Sequence, residues 1–90
     1  YGTLRSAYVA EANGIGLLGS GLTEAGVTFA AAIHTYSTMD LLLPPELNGP
    51  EFLESMLVDG LEIEGVTVKV PDGPGLGVKP REAEIRKLAL

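Results

Sequence analysis

Two glycine patterns in this sequence could hold a phosphate. Gly14-Ile15-Gly16-Leu17-Leu18-Gly19 matches G-x-G-x-x-G, and Asp40 follows about twenty residues later, where a dinucleotide site keeps its ribose-binding acid. That fingerprint follows a strand and opens a helix. Here a helical stretch precedes it, and the glycines lie inside an apolar run, so the context for a dinucleotide is wrong. The second pattern is PDGPGLGV, residues 71 to 78. Successive backbone N–H groups in such a turn could form an anion nest, but Lys79-Pro80 comes next, with no Gly-Lys-Ser/Thr and no helix behind it. The stretch reads as a fixed, irregular connector, with Asp72 a turn residue.

The remaining chemistry-bearing residues are carboxylates and one histidine. Glu51, Glu54, Asp59, Glu62 and Glu64 have no spacing that converges them on a cation, so they read as a solvated acidic edge. His34 shares a helical stripe with Val27, Ala30 and Ala31 and reads as a packed, hydrogen-bonded core histidine. Glu46, in LLLPPELNGP, reads as a turn or capping residue. No metal site is expected from these residues.

Composition bounds the rest. The chain has 90 residues, 46% of them hydrophobic, which makes one small globular domain near the size where a core is marginal. The net charge of −6 leaves no basic stripe for nucleic acid or anionic lipid, so neither partner is expected. The absence of cysteine rules out a disulfide framework and a thiolate metal site. No apolar run reaches the roughly 20 residues that span a bilayer, and a cytoplasmic address is the default. The opening Tyr1-Gly2-Thr3 has neither an initiator Met nor a signal-peptide pattern and reads as cut from something longer.

The elements follow from periodicity and breakers. Residues 3 to 12 suit a helix capped by Thr3 and stopped by Asn13-Gly14. Residues 15 to 21, IGLLGSG, suit a buried strand, and residues 24 or 25 to 38 a helix buried on most sides. Leu41-Leu42-Leu43 is a second short strand, closed by Pro44-Pro45. Residues 51 to 58 could be a short helix or an extended run. Residues 61 to 70 read as a hairpin bending at Gly65, and residues 81 to 90 as a terminal helix with Pro80 in its first turn and a Glu82–Arg86 pair. Strands alternating with helices are the grammar of a parallel sheet with covered faces. Two strands leave both edges open, so partners are expected.

Taken in order, GIGLLGSGLTEAGVTFAAAIH, LLLPPELNGP and EGVTVKVPDGPGLGV resemble the C-terminal quarter of the mandelate racemase and muconate lactonizing enzyme family of the enolase superfamily. The likeness runs from about Gly2 to Val78, and the acid in LTEAG resembles the muconate-lactonizing branch. It implies an α/β fold, the C-terminal fragment of a (β/α)8 TIM-type barrel. Residues 3 to 12 would be its helix 6, 15 to 20 strand 7, 25 to 38 helix 7 and 41 to 43 strand 8. Residues 1–58 would belong to the barrel. Residues 59–90 would form the hairpin, connector and terminal helix that turn toward a capping domain.

The resemblance also implies a chemistry. The family binds a divalent cation, usually Mg²⁺ and alternatively Mn²⁺, and acts on small carboxylate substrates through an enolate, with barrel lysines as acid and base. Its metal carboxylates and those lysines match no position of this chain. Glu24 is the exception: it falls just after strand 7, where the family carries a glutamate that hydrogen-bonds the substrate. A glutamate in a first helical turn also favours the helix dipole without any further role. Ser20, Gly21 and Thr23 line the same turn and are weaker candidates for substrate binding. The chain is therefore expected to be an inactive piece of such an isomerase. The alternative is a non-catalytic subunit, self-associating as a homo-oligomer or joining the rest of a split barrel and contributing one carboxylate.

Overall fold

The computed structural model describes residues 1–89. The first helix, α1 (Gly2–Ala12), starts one residue before the expected Thr3 cap; Tyr1 is the N-cap, without a side-chain bond, and Thr3 lies inside the helix. Its end is as the sequence implied. Gly14 takes the left-handed conformation (φ +67°), its N–H donates to the Glu11 carbonyl at 3.1 Å, and Ile15 N–H reaches Ala10 O at 2.9 Å. This is a Schellman closure, which satisfies the last carbonyls of the helix. Asn13 adds a side-chain bond to Val9 O at 2.7 Å.

The two expected strands are a correction. Residues 15–21 and 41–46 are extended and parallel, but they meet only at two isolated bridges, Leu17 with Leu41 and Ser20 with Glu46. Five positions on the second segment span what three cover on the first. Pro44 and Pro45 lie in the surplus, and because neither has an N–H to give, the ladder bulges around them. It re-forms beyond, with Glu46 N–H on Gly19 O (3.0 Å) and Gly21 N–H on Glu46 O (2.9 Å).

Helix α2 (Gly26–Tyr36) carries the core. Gly26, Phe29, Ala30 and Ile33 are buried at helical spacing, while Val27, expected on a packed stripe, is 46% exposed. Buried Val58 and the Met56 carbonyl press on Gly26, whose N–H donates to that carbonyl at 2.7 Å. Beyond the helix, Ser37 Oγ and Thr38 Oγ1 donate to the His34 and Thr35 carbonyls, each at 2.7 Å. Those hydroxyls satisfy carbonyls that a helix end leaves free, which is why the helix stops short of the expected residue 38.

The 51–58 region is both things the sequence allowed. A single turn, α3 (Gly49–Phe52), gives way to extended chain ending in β1 (Val58–Asp59). The hairpin is β2 (Glu62–Glu64) with β3 (Thr67–Lys69), paired Glu62↔Lys69, Ile63↔Val68 and Glu64↔Thr67. Its two-residue turn needs Gly65 at φ +60°. The connector then folds on itself, Gly77 N–H meeting Pro74 O at 3.0 Å. It is tied to α2 by His34, whose Nε2–H donates to Leu76 O at 2.9 Å. The hydrogen-bonded, half-buried histidine is thus observed, and its partner is the glycine-rich motif.

Pro80 is a second correction. It lies in β4 (Lys79–Pro80), which runs antiparallel to β1, and not in the first helical turn. Arg81 follows as N-cap, with its N–H on Leu57 O (2.8 Å) and its guanidinium on Asp59 (2.9 Å). Then α4 (Glu82–Leu88) carries the expected Arg86–Glu82 pair at 3.0 Å. The expected helix reached residue 90, which lies outside the described residues.

The described chain is open in shape. Its radius of gyration is 14.4 Å, against about 12 Å for a compact domain of this length. Its accessible surface of 6707 Å² exceeds by roughly a third the ~5,000 Å² expected for its mass. Tyr8, Val9, Ile15, Leu18, Leu42 and Leu43 are each more than 60% exposed. Among the described residues, no helix is long and apolar enough to cross a membrane.

Candidate active site

The turn from Ser20 to Ala25 lies where both extended segments end. Ser20 and Gly21 are held from below by Glu46, and the Tyr36 hydroxyl donates to Ser20 O at 2.7 Å. Glu24 N–H closes a tight turn on Leu22 O at 2.8 Å. Ala25 is the extended N-cap of α2, so Glu24 precedes the helix and no acidic residue occupies its first turn. The helix-dipole role considered for Glu24 is weakened accordingly, because that effect fades beyond the terminal turn.

The Glu24 side chain folds inward. Its Oε2 is buried with no hydrogen-bond partner among the described residues, as is Oδ1 of Asn48. A buried polar group left unpaired costs about 1–3 kcal/mol, and such exceptions call for a physical reason. Ser20 and Thr23 are exposed on the same turn, and Gly21 is half-buried beneath the carboxylate. All four residues singled out in the sequence thus lie together. That oxygen is closed to solvent, so an incoming group reaches it only once the side chain turns out or a neighbour gives way; it then takes part in one hydrogen bond, donating if Glu24 carries the proton and accepting if the partner does.

Other candidates stand apart. His34 is in the last turn of α2, opposite the end that Glu24 precedes, and is engaged with the connector. Glu46 keeps an exposed side chain and works through its backbone, bridging Gly19 and Gly21. A groove of about 570 Å³ runs between α2, residues 44–51 and the hairpin; it is lined by Phe29, Tyr36, Pro45, Asn48 and Val68 among others, and Glu24 does not border it. Among the described residues no three His, Cys, Asp or Glu side chains group to hold a metal ion. The described residues do not fit the cation that the family resemblance implies.

Tyr36 and Asn48 are the residues that sequence reasoning missed. Tyr36 falls at helical spacing with Phe29 and Ile33, and nothing in that spacing shows that its hydroxyl reaches across to Ser20. Asn48-Gly49-Pro50 has the composition of a turn, and turn chemistry does not say whether an amide oxygen ends up buried.

Comparison with known proteins decides the family. A model described as enolase C-terminal domain-like matches residues 1–84. The chain belongs to the mandelate racemase and muconate lactonizing enzyme family of the enolase superfamily. Within this family it is similar to a chloromuconate cycloisomerase of Pseudomonas putida, 40% identical over 84% of this chain and 21% of that protein. Muconate cycloisomerase 1-1 of Acinetobacter lwoffii is 34% identical over 92% of this chain and 22% of the relative. The crystal structure of a muconate lactonizing enzyme from Klebsiella pneumoniae superposes with a TM-score of 0.82 at 36% identity, over 90% of this chain and 23% of that one. The chain therefore spans between a fifth and a quarter of the family members it matches.

Proposed function

We propose that this chain is the Glu24-bearing C-terminal part of a muconate-cycloisomerase-like isomerase, acting on a small carboxylate substrate through an enolate. In this reading α1 is the sixth barrel helix, residues 15–21 and 41–46 are the seventh and eighth strands, and α2 is the seventh helix. Residues 1–58 belong to the barrel, and residues 59–90 run toward a capping domain. A divalent cation would be held by carboxylates outside this chain and would supply charge to the developing enolate. The observation that carries the proposal is the orphaned Glu24 Oε2, placed just beyond the ends of two parallel segments. That is the face on which barrel enzymes build active sites.

Glu24 has a narrow task in this scheme. Its carboxyl shares one hydrogen with an oxygen of the substrate carboxylate, holding that end of the molecule while the reaction proceeds elsewhere on it. Ser20, Gly21 and Thr23 form the wall of the same turn. Because charge on the substrate oxygen grows toward the enolate, the hydrogen bond strengthens on the way to the transition state, and such interactions raise kcat more than they tighten binding.

The test is Glu24→Gln in the full-length enzyme. We expect kcat to fall by about 10² or more, with KM within a few-fold of the wild type. Unchanged kinetics would leave Glu24 as no more than the residue before a helix. A second reading, a self-associating or split-enzyme subunit, is favoured by the exposed apolar side chains of α1 and the two extended segments. Metal-dependent turnover by a single longer chain would rule it out.

A further inference from the structure

The proposed role of Glu24 requires its carboxyl to be held in place, and two glycines are shaped to do so. Neither Gly21 nor Gly49 adopts a left-handed backbone, so conformation does not explain a glycine at either position. Space does. A Cβ on Gly21 would stand 2.6 Å from Glu24 Oε2 and 3.0 Å from Leu47 Cδ2. A Cβ on Gly49 would run into the Glu24 carbonyl oxygen and approach its nitrogen to 3.3 Å. Real Cβ atoms essentially never come that close, so in each case something must move.

We infer that Gly21 and Gly49 are positioning residues that seat Glu24 from two sides, Gly21 under its carboxylate and Gly49 against its backbone. The inference rests on the functional reading of Glu24 given above. The two glycines act on different parts of the residue. At Gly21 the intruding methyl meets the free end of a flexible side chain, with Leu47 Cδ2 giving way slightly, so the chain folds as before and the carboxylate takes most of the displacement. At Gly49 the methyl meets main chain, which is itself held by the Glu24–Leu22 turn at 2.8 Å and by Gly26 N–H on Met56 O at 2.7 Å. The whole turn must then shift. Gly49 is fully buried in a close-packed position with no spare volume for the change. The seat also explains how an unpartnered oxygen is retained: the carboxylate is confined by its neighbours before any ligand arrives, and a ligand that bonds to it must first open that contact.

The experiment is a double-mutant cycle in the full-length protein with Gly21→Ala, Glu24→Ala and the pair, reading kcat, KM and the melting temperature of each. Gly21→Ala is expected to lower kcat about tenfold with KM within about twofold, and to lower the melting temperature by about 2–4 °C. In the Glu24→Ala background the same change should cost little further in either quantity, since the group it chiefly displaces has gone. Gly49→Ala should lower kcat at least as much as Gly21→Ala; should it fail to fold, the Gly21 cycle decides. Equal losses in both backgrounds overturn the seat, because the added methyl would then be disturbing Leu47. Coupled melting temperatures together with kinetics indifferent to Glu24→Ala uphold the seat and overturn the functional reading.

Discussion

The isolated 90-residue chain, given a muconate with Mg²⁺ or Mn²⁺, turns over no faster than the uncatalysed reaction. The expectation follows from what the chain carries. Its three lysines, Lys69, Lys79 and Lys87, all lie in or after the hairpin, none on the segments beside Glu24, so no lysine stands ready to move a proton at that mouth. Positioned general acid–base groups contribute about 10²–10⁴-fold, and preorganised charge around a developing oxyanion about 10²–10³ for each donor. In the proposed reading Glu24 would supply a single hydrogen bond, and among the described residues no cluster can hold the cation. The measurement is a steady-state assay with and without metal. Turnover by this chain unaided would overturn the division of roles between it and the rest of the barrel.

The second large effect concerns assembly. At micromolar concentration the isolated chain is expected to sediment as an assembly of copies or as an expanded monomer. Among the described residues, the pair of segments 15–21 and 41–46 has no third strand on either side. Ile15, Leu18, Leu42 and Leu43 are 62%, 68%, 68% and 63% exposed. Open edges with apolar side chains are pairing templates, and each backbone group left buried and unpaired would cost about 1–3 kcal/mol. A domain of this size has a total stability of only about 5–15 kcal/mol. Pairing with another copy, or with the remainder of a barrel, relieves that cost. Light scattering or sedimentation that showed a compact monomer with a sharp, cooperative melt would refute this.

The sequence was most legible where the governing interactions are local. Periodicity placed α1 and α2, and Asn13-Gly14 placed a helix end because a left-handed glycine and its Schellman bonds involve only residues 10 to 15. Alternation and Gly65 placed the hairpin for the same reason. The strands were harder, since Leu41-Leu42-Leu43 looks uniform while its pairing depends on where Pro44 and Pro45 interrupt a ladder with residues 17–20. Pro80 is compatible with a first helical turn, and only its distant pairing with Val58 draws it into a strand. The site followed the same division. Glu24, Ser20, Gly21 and Thr23 could be picked out by resemblance because they share one turn. The burial of Glu24 Oε2 could not, because it depends on the side chain folding back over Gly21, beside which Leu47 arrives from another segment.

The central claim is that Glu24 Oε2 is unpartnered among the described residues because its partner is the substrate. The most direct test is a crystal structure of the full-length enzyme with a bound carboxylate product or product analogue. The expected result is an oxygen of the ligand's carboxylate at about 2.5–3.0 Å from Glu24 Oε2, an ordinary O–H···O hydrogen bond, with the backbone from Ser20 to Ala25 placed as it is here. Glu24 paired instead with another side chain of the protein, and the ligand out of its reach, would contradict it.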